Sequence, residues 1–189
     1  LDSSDAQQVP GVVRIVRLAE TAPPSAFMPV GGVAVVARNT WAAMQGRKKL
    51  KITWTDGPNA TYDSEQYRAQ LERAVRTPGK VVRSQGNATR TLAASATRVS
   101  ADYYLPHLAH APMEPPAALA VFENGRCDTW SCTQNPGATR ETVAKVLGIP
   151  VDNVASYVTL LGGGFGRKSK PDYAVEAALL AREMSAPVK

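Results

Sequence analysis

The chain has 189 residues and a formal net charge of +6, with 44% hydrophobic and 20% charged residues. This balance is that of a folded globular protein, so it excludes a disordered chain and allows one core or two small ones. The longest apolar stretch, residues 30–37, is far shorter than the roughly 20 residues that cross a bilayer, so we expect no membrane span.

The first third of the sequence predicts three strands and a short helix. β-Branched residues predict a strand over residues 12–18, and the apolar run 33–37 predicts a second strand covered on both faces. Either Asn39 or Thr40 can serve as the N-cap of a short helix. Apolar and polar residues alternate over 50–54, which predicts a third strand.

A helix and a boundary follow. Asp63 and Gln66 have the spacing of a capping box, and apolar residues repeat at helical spacing until Thr77-Pro78-Gly79. The polar stretch 78–91 then predicts a boundary between two structural units. We therefore divide the chain into residues 1–84 and 85–189.

The second unit predicts strands first and helices later. Alternation predicts a strand over 99–105, and two more strands, 117–122 and 126–132, are joined by Asn124-Gly125. A helix then begins at Pro136 after the N-cap Asn135 and ends at Gly148. A strand over 154–161 leads into a glycine-rich segment, and a last helix spans residues 172–184 with a face of alanines.

The sequence contains two cysteines, Cys127 and Cys132. They are five positions apart, so on a regular strand they point to opposite faces and cannot pair. We expect two unpaired, buried thiols, which provide neither a disulfide scaffold nor a zinc site.

The strongest chemical signal is the segment Gly162-Gly163-Gly164-Phe165-Gly166-Arg167-Lys168. Glycines let the backbone approach a ligand closely, and consecutive amides in such a turn bind an anion. A Walker A loop and a dinucleotide fingerprint both require glycine at position 167, where Arg167 stands. A tight turn without a ligand remains the alternative, although the large apolar Phe165 within the loop favours a site.

Three other features leave alternatives open. The runs Arg47-Lys48-Lys49 with Lys51 and Arg167-Lys168 with Lys170 are typical of solvated surface, or of a basic module that binds nucleic acid or another polyanion. His107, His110 and Glu114 do not predict a metal site, because the surrounding prolines prevent the helix that would align them. We interpret His110 and Glu114 as structural residues that fix the loop. Gln134 lines a site or packs in the capping loop.

Four linked motifs occur in this order: Ala109-His110-Ala111-Pro112-Met113-Glu114-Pro115, Thr133-Gln134-Asn135-Pro136, Leu147-Gly148-Ile149-Pro150 and the glycine segment 162–168. Together they resemble the molybdenum-binding subunits of xanthine dehydrogenase and aldehyde oxidase relatives, closest to the isoquinoline 1-oxidoreductase beta subunit. The upstream half resembles the α/β hammerhead domain of that family through residues 9–13, 33–37, 40–41 and 50–54.

The resemblance implies an α+β fragment, with a partial α/β hammerhead domain in residues 1–84 and the N-terminal part of a molybdenum-cofactor-binding domain in residues 85–189. It implies a molybdopterin-dependent hydroxylase that places water-derived oxygen on an aldehyde or N-heteroaromatic. Electrons would pass to a 2Fe-2S small subunit, with a cytochrome as one further acceptor. The cofactor would be molybdenum-molybdopterin, with the cytosine dinucleotide form as one option.

The resemblance also implies the site residues. The backbone of Gly163, Gly164, Phe165 and Gly166 would contact the cofactor, with Phe165 near the substrate. Leu108 stands where many relatives carry a glutamine. The catalytic base of the family comes further along the chain than Lys189, so we expect no catalytic residue here, and the isolated chain to be inactive and free of cofactor. Residues 1–10 lack the pattern of an export signal, and the compartment, cytoplasm or periplasm, stays open.

Overall fold

The computed structural model describes residues 1–189, which form two compact units. The larger unit combines Leu1–Ile52 with Leu108–Lys189, and the smaller unit is Thr53–His107. The predicted division into residues 1–84 and 85–189 stays a prediction.

The N-terminal part of the larger unit is a strand pair with two helices. Its elements are α1 (Ser4–Gln7), β1 (Val12–Leu18), β2 (Gly32–Ala37) and α2 (Thr40–Lys49). Strands β1 and β2 are antiparallel, with Ile15 opposite Val35. The Asn39 side chain accepts a hydrogen bond from the N–H of Ala42 at 2.9 Å, which confirms the predicted N-cap. Helix α2 packs closely on the pair because Gly46 carries no Cβ to meet Val35.

Two expectations for this region are wrong. Every residue of β2 is only partly buried, so the strand is not covered on both faces as its apolar run predicted. The predicted strand 50–54 does not form, and Lys51 alone makes an isolated bridge with Asp2. A strand needs a partner strand along its whole length, and these residues pair with the chain only through the bridge to Asp2.

The main core lies between a three-stranded sheet and two helices. The strands β3 (Ala118–Glu123), β4 (Arg126–Ser131) and β5 (Val154–Val158) are in the order β3-β4-β5, antiparallel and then parallel. Helices α5 (Pro136–Leu147) and α6 (Asp172–Met184) contribute the other side of the core. Its buried members are Ala118, Ala120, Cys127, Val143, Ala144, Leu147, Val154, Ala174, Val175, Ala177, Ala178 and Ala181.

Local sequence chemistry explains both helices. The Asn135 side chain caps α5 by accepting from the N–H of Ala138 at 3.1 Å, and Gly148 ends it in the left-handed conformation with φ 68°. These bounds confirm the predicted helix. Helix α6 spans the predicted residues 172–184, and its buried alanines permit close packing against β3.

Both cysteines are buried and unpaired, as predicted. Cys127 belongs to the core, where burial raises the pKa of its thiol to about 11. Cys132 follows the last residue of β4, and its carbonyl accepts a hydrogen bond from the Tyr173 hydroxyl at 3.3 Å.

The smaller unit contains α3 (Ser64–Ala74) and α4 (Ala88–Ala94), neither with a buried residue. The Asp63 side chain caps α3 by accepting from the N–H of Gln66 at 2.8 Å, as predicted. The predicted strand 99–105 is wrong, because its apolar side chains are exposed and no strand pairs with them. No helix of the chain is both long enough and apolar enough to span a membrane.

Candidate functional site

The glycine loop, residues 162–166, follows β5 at the end of the core sheet. The strand ends at Val158 rather than at residue 161, although the N–H of Thr159 still donates to the carbonyl of Ser131 at 3.1 Å. Gly163 and Gly166 have φ of 93° and 84°, in the region that favours glycine. Phe165 also lies there, with φ 50°, a conformation that costs a non-glycine residue on the order of 1–3 kcal/mol.

Two side chains from earlier segments hold the ends of the loop, and we call Glu114 and Gln134 the clamp residues. The N–H of Gly162 donates to Glu114 Oε2 at 2.7 Å, and the N–H of Gly166 donates to Gln134 Oε1 at 3.0 Å. The contact of Glu114 with the loop confirms its interpretation as a loop-fixing residue. His110 forms no hydrogen bond.

The clamp residues also explain two of the glycines. A Cβ at Gly162 would lie 2.8 Å from the Cβ of Glu114, and a Cβ at Gly164 would lie 2.5 Å from the Cδ of Gln134. Both distances are shorter than real Cβ contacts allow. A side chain at position 162 would therefore displace Glu114 at its Cβ, whereas one at position 164 would displace the end of the Gln134 side chain.

Three consecutive amides between the clamped ends have no partner. The N–H groups of Gly163, Gly164 and Phe165 form no hydrogen bond, while the carbonyl of Gly164 accepts from the N–H of Arg167 at 2.9 Å. Gly164 is itself a buried residue. A buried backbone N–H without a partner is costly unless water or a ligand supplies an acceptor. The loop therefore offers three donors to an oxygen-rich or anionic group.

The basic residues after the loop, Arg167 and Lys168, form ion pairs within the fold. Lys168 is 0% exposed, and its Nζ lies 2.5 Å from Glu114 Oε2. The carbonyl of Lys168 accepts from the N–H of Gln134 at 3.1 Å. Arg167 forms two hydrogen bonds with the carboxylate of Asp172, at 2.9 and 3.0 Å. The expectation of solvated surface is wrong for Lys168, because a carboxylate 54 positions earlier neutralises its charge inside the fold.

Both members of the ion pair between Lys168 and Glu114 remain charged over a wide pH range. The hydrogen bond from Lys168, aided by the N–H of Gly162, holds the pKa of Glu114 below its ordinary value. Burial lowers the pKa of Lys168, but its hydrogen bond to Glu114 and the neighbouring Cys132 outweigh this effect, so its pKa is raised overall. An ion pair that stays intact keeps the Glu114 oxygen available to Gly162.

This pair predicts a pH-dependent stability. Because the pKa of Glu114 is lowered, its stabilisation is present above the unfolded value of about 4.3 and is lost as the pH falls through the folded pKa. We expect Glu114→Gln to lower the melting temperature at neutral pH, and the difference from wild type to disappear in acid. Thermal unfolding followed by circular dichroism across this range measures the effect.

Glu123 provides a matched control. It is exposed and forms no ion pair, so Glu123→Gln should change the melting temperature little at any pH. A Glu114→Gln variant whose difference from wild type stayed constant from neutral pH to acid would show that the carboxylate charge does not stabilise the fold.

The structure brings together most of the predicted site residues and adds Lys168 to them. Phe165 projects from the loop and is 70% exposed. Gln134, for which lining a site and packing remained open, contacts the loop directly. Sequence reasoning missed the role of Lys168, since a basic residue beside Arg167 is usually solvated. The motif containing Glu114 is the one feature of the sequence that could have indicated a partner for Lys168.

Solved structures define the class of fold. The chain is similar to quinoline 2-oxidoreductase from Pseudomonas putida 86, with a TM-score of 0.69 and 23% identity over 99% of this chain and 28% of that chain. It is also similar to the aldehyde oxidoreductase of Desulfovibrio gigas, with a TM-score of 0.66 and 19% identity over 99% of this chain and 24% of that chain. At these identities the likeness establishes the mixed α/β fold alone.

Sequence relatives share the same class. The beta subunit of isoquinoline 1-oxidoreductase from Brevundimonas diminuta is 29% identical over all of this chain and 24% of its own length. A nicotinate dehydrogenase subunit from Pseudomonas putida is 28% identical over all of this chain and 15% of its own length. The aldehyde oxidoreductase molybdenum-binding subunit of Escherichia coli K12 is 36% identical over 60% of this chain and 15% of its own length. The chain thus spans a quarter or less of these relatives.

The family model for the molybdopterin cofactor-binding domain matches residues 73–189, more than half of the chain. The glycine loop, both clamp residues and Lys168 all lie within that range. The chain therefore belongs to the molybdopterin cofactor-binding domain family, and its resemblance to the molybdenum-binding subunits of the xanthine dehydrogenase and aldehyde oxidase type is confirmed.

Proposed function

We propose that this chain forms part of a molybdenum hydroxylase subunit and that its glycine loop contacts the molybdopterin cofactor through Gly163, Gly164, Phe165 and Gly166. The observation that carries the proposal is the row of three free amides held between two clamped ends. When bound, the cofactor would supply the transfer of water-derived oxygen to an electron-poor carbon and would accept the electrons released.

The chemistry of the loop is compatible with such a group. Backbone N–H donors in a glycine-rich turn suit the oxygen atoms of an anionic cofactor. The exposed ring of Phe165, held at an unusual backbone angle, is placed to exclude water or to contact a substrate. The role of these 189 residues would be to bind and orient, and we assign no catalytic residue among them.

The other elements of the proposal rest on the relatives. Their names include isoquinoline, nicotinate and aldehyde, which supports an N-heteroaromatic or an aldehyde as substrate. We propose a 2Fe-2S partner subunit, a partial α/β hammerhead domain in residues 1–84 and the N-terminal part of the cofactor-binding domain in residues 85–189. The cytosine dinucleotide form of the cofactor and a cytochrome as final acceptor belong to the same proposal, and the isolated chain would have no activity.

The test is to produce the longer protein that contains this chain, together with its iron-sulfur subunit, in a host that makes the cofactor. We expect the purified protein to contain near-stoichiometric molybdenum by mass spectrometry. We also expect it to reduce a dye with aldehydes or N-heterocycles, with oxygen from labelled water in the product. A correctly folded protein that lacked molybdenum beside a loaded control hydroxylase would contradict the proposal.

The alternative of a basic polyanion-binding module receives no support. Lys168 is buried and paired with Glu114, and Arg167 is paired with Asp172, so both cations are neutralised within the fold. The family and the relatives point to molybdenum hydroxylases instead.

A further inference from the structure

We propose that Glu114 and Gln134 are positioning residues that fix the two ends of the glycine loop, so that the amides of Gly163, Gly164 and Phe165 remain open toward the cofactor. This inference rests on the proposed function of the loop. It assigns a role to two side chains that would act on the cofactor only through the backbone that they hold.

Gln134 is held in place by its backbone at one end and by its side-chain carboxamide at the other. Its own N–H donates to the carbonyl of Lys168 at 3.1 Å, and the hydroxyl of Thr133 donates to the same carbonyl at 3.2 Å. These bonds join the end of β4 to the segment after the loop. The Gln134 carboxamide then lies against Gly164 and accepts from Gly166, so it fixes the loop at its C-terminal end.

Glu114 is held from the opposite side. One carboxylate oxygen, Oε2, accepts both from the N–H of Gly162 at 2.7 Å and from the buried ammonium of Lys168 at 2.5 Å. Lys168 follows the loop, so this single oxygen joins the first residue of the loop to the segment that leaves it. A carboxylate in a charge-assisted hydrogen bond is held more firmly than a neutral side chain would be.

The arrangement divides the amides of the loop into two classes. Those of Gly162 and Gly166 are occupied by the chain itself, and the three between them are not. A flexible glycine segment would lose much conformational freedom when it ordered around a ligand. Clamps at both ends remove part of that freedom before the ligand arrives, which favours binding.

The first arm of the test uses the chain as it stands. Amide hydrogen exchange by nuclear magnetic resonance should show Gly162 and Gly166 exchanging more slowly than Gly163, Gly164 and Phe165. Gln134→Ala should accelerate exchange at Gly166 by about 2- to 10-fold, which corresponds to the loss of one hydrogen bond. Gln134→Glu keeps an oxygen acceptor and should restore slow exchange. The control Gln85→Ala, at an exposed glutamine without hydrogen bonds, should change nothing in the loop.

The second arm uses the longer protein with its partner subunit and cofactor supply. We expect Gln134→Ala to lower molybdenum content, or to alter the Mo(V) electron paramagnetic resonance spectrum of the loaded fraction, while its melting temperature stays near that of wild type. Gln134→Glu should recover both readouts. Glu114→Gln, which keeps an acceptor for Gly162 but removes the charge, should show a smaller effect than Glu114→Ala.

The two arms separate the clamp from the proposed function. Unchanged exchange at Gly166 in Gln134→Ala would overturn the clamp, as would wild-type molybdenum content and spectrum in the variants. If wild-type protein showed the expected exchange pattern but never took up molybdenum, the proposed function would fail and the assignment of the clamp to a cofactor would fail with it. The exchange data would then still establish that the clamp exists.

Discussion

Replacing Leu147 with alanine should lower the free energy of unfolding by about 2–5 kcal/mol, the cost of removing a large side chain from a packed core. Leu147 is the last residue of α5, is only 7% exposed, and belongs to the cluster between the sheet and the two helices. Its carbonyl also accepts a hydrogen bond from Arg182 of α6 at 3.2 Å, which limits how far the helix end can move to close the cavity. Urea unfolding followed by circular dichroism measures the change.

The same substitution at an exposed leucine is the matched control. Leu160 is 94% exposed, so Leu160→Ala should change the free energy of unfolding by no more than about 0.5 kcal/mol. Similar losses at Leu147 and Leu160 would mean that the α5 end does not pack in the core described above. That result would also remove the support on which the glycine loop depends, since β4 and β5 share this core.

The elements that could be predicted from the sequence are those whose signals are local. Asn135, Pro136 and Gly148 mark both ends of α5, and Asp63 with Gln66 marks the start of α3. The side chains of such residues bond to free backbone groups of a helix end that lie only a few positions away. A short stretch of sequence therefore contains both the cap and the group that it bonds. Helix α4 has the same signal in Asn87, which caps the N–H of Arg90, and it was missed because the stretch is polar.

The two predicted strands that did not form would have needed partner strands from distant parts of the chain. Residues 50–54 and 99–105 alternate in the way a half-buried strand does, but alternation does not reveal whether a neighbouring strand is present. Lys51 meets Asp2 alone, and residues 99–105 have no partner strand. The pair β3 with β4 was easier, since a tight turn joins the two strands. The parallel pairing of β4 with β5, which α5 connects, was not predicted.

The candidate site also has one part that a local sequence pattern predicts and another part that depends on a distant residue. The position of the loop and its open backbone could be predicted, because four glycines in five residues after a strand form a strong local pattern. The burial of Lys168 could not, since its partner Glu114 is 54 positions away and an isolated lysine predicts solvent. Both residues belong to the family motifs, but nothing in the sequence pairs one with the other.

The glycines themselves require a more careful interpretation than the sequence suggested. The sequence argument assigned them to close approach by a ligand. In the structure Gly162 and Gly164 make room for Glu114 and Gln134, while Gly163 and Gly166 adopt positive φ. The glycines therefore serve first to shape and hold the loop, and the free amides are a consequence of that shape.

This interpretation predicts a cost at a glycine that needs no unusual backbone angle. Gly162→Ala should lower the free energy of unfolding by about 1–3 kcal/mol, the usual penalty for overpacking. The new Cβ would lie 2.8 Å from the Cβ of Glu114, an atom too close to the backbone to rotate away, and 3.3 Å from Oε2. Relief would require Glu114 to move, which weakens its bonds to both the loop and Lys168. Urea unfolding gives the magnitude, and amide exchange at position 162 shows whether the hydrogen bond is lost.

Gly79 offers the matched control, because a Cβ built there meets nothing within 4 Å and its φ is ordinary. Gly79→Ala should be neutral or stabilise the chain by up to about 1 kcal/mol, since alanine reduces the freedom of the unfolded state. If Gly162→Ala were as harmless as Gly79→Ala, Glu114 would have room to retreat and could not be holding the loop firmly. A loss at Gly162 alone, accompanied by faster amide exchange there, would instead show that the glycine exists to let a carboxylate reach the backbone.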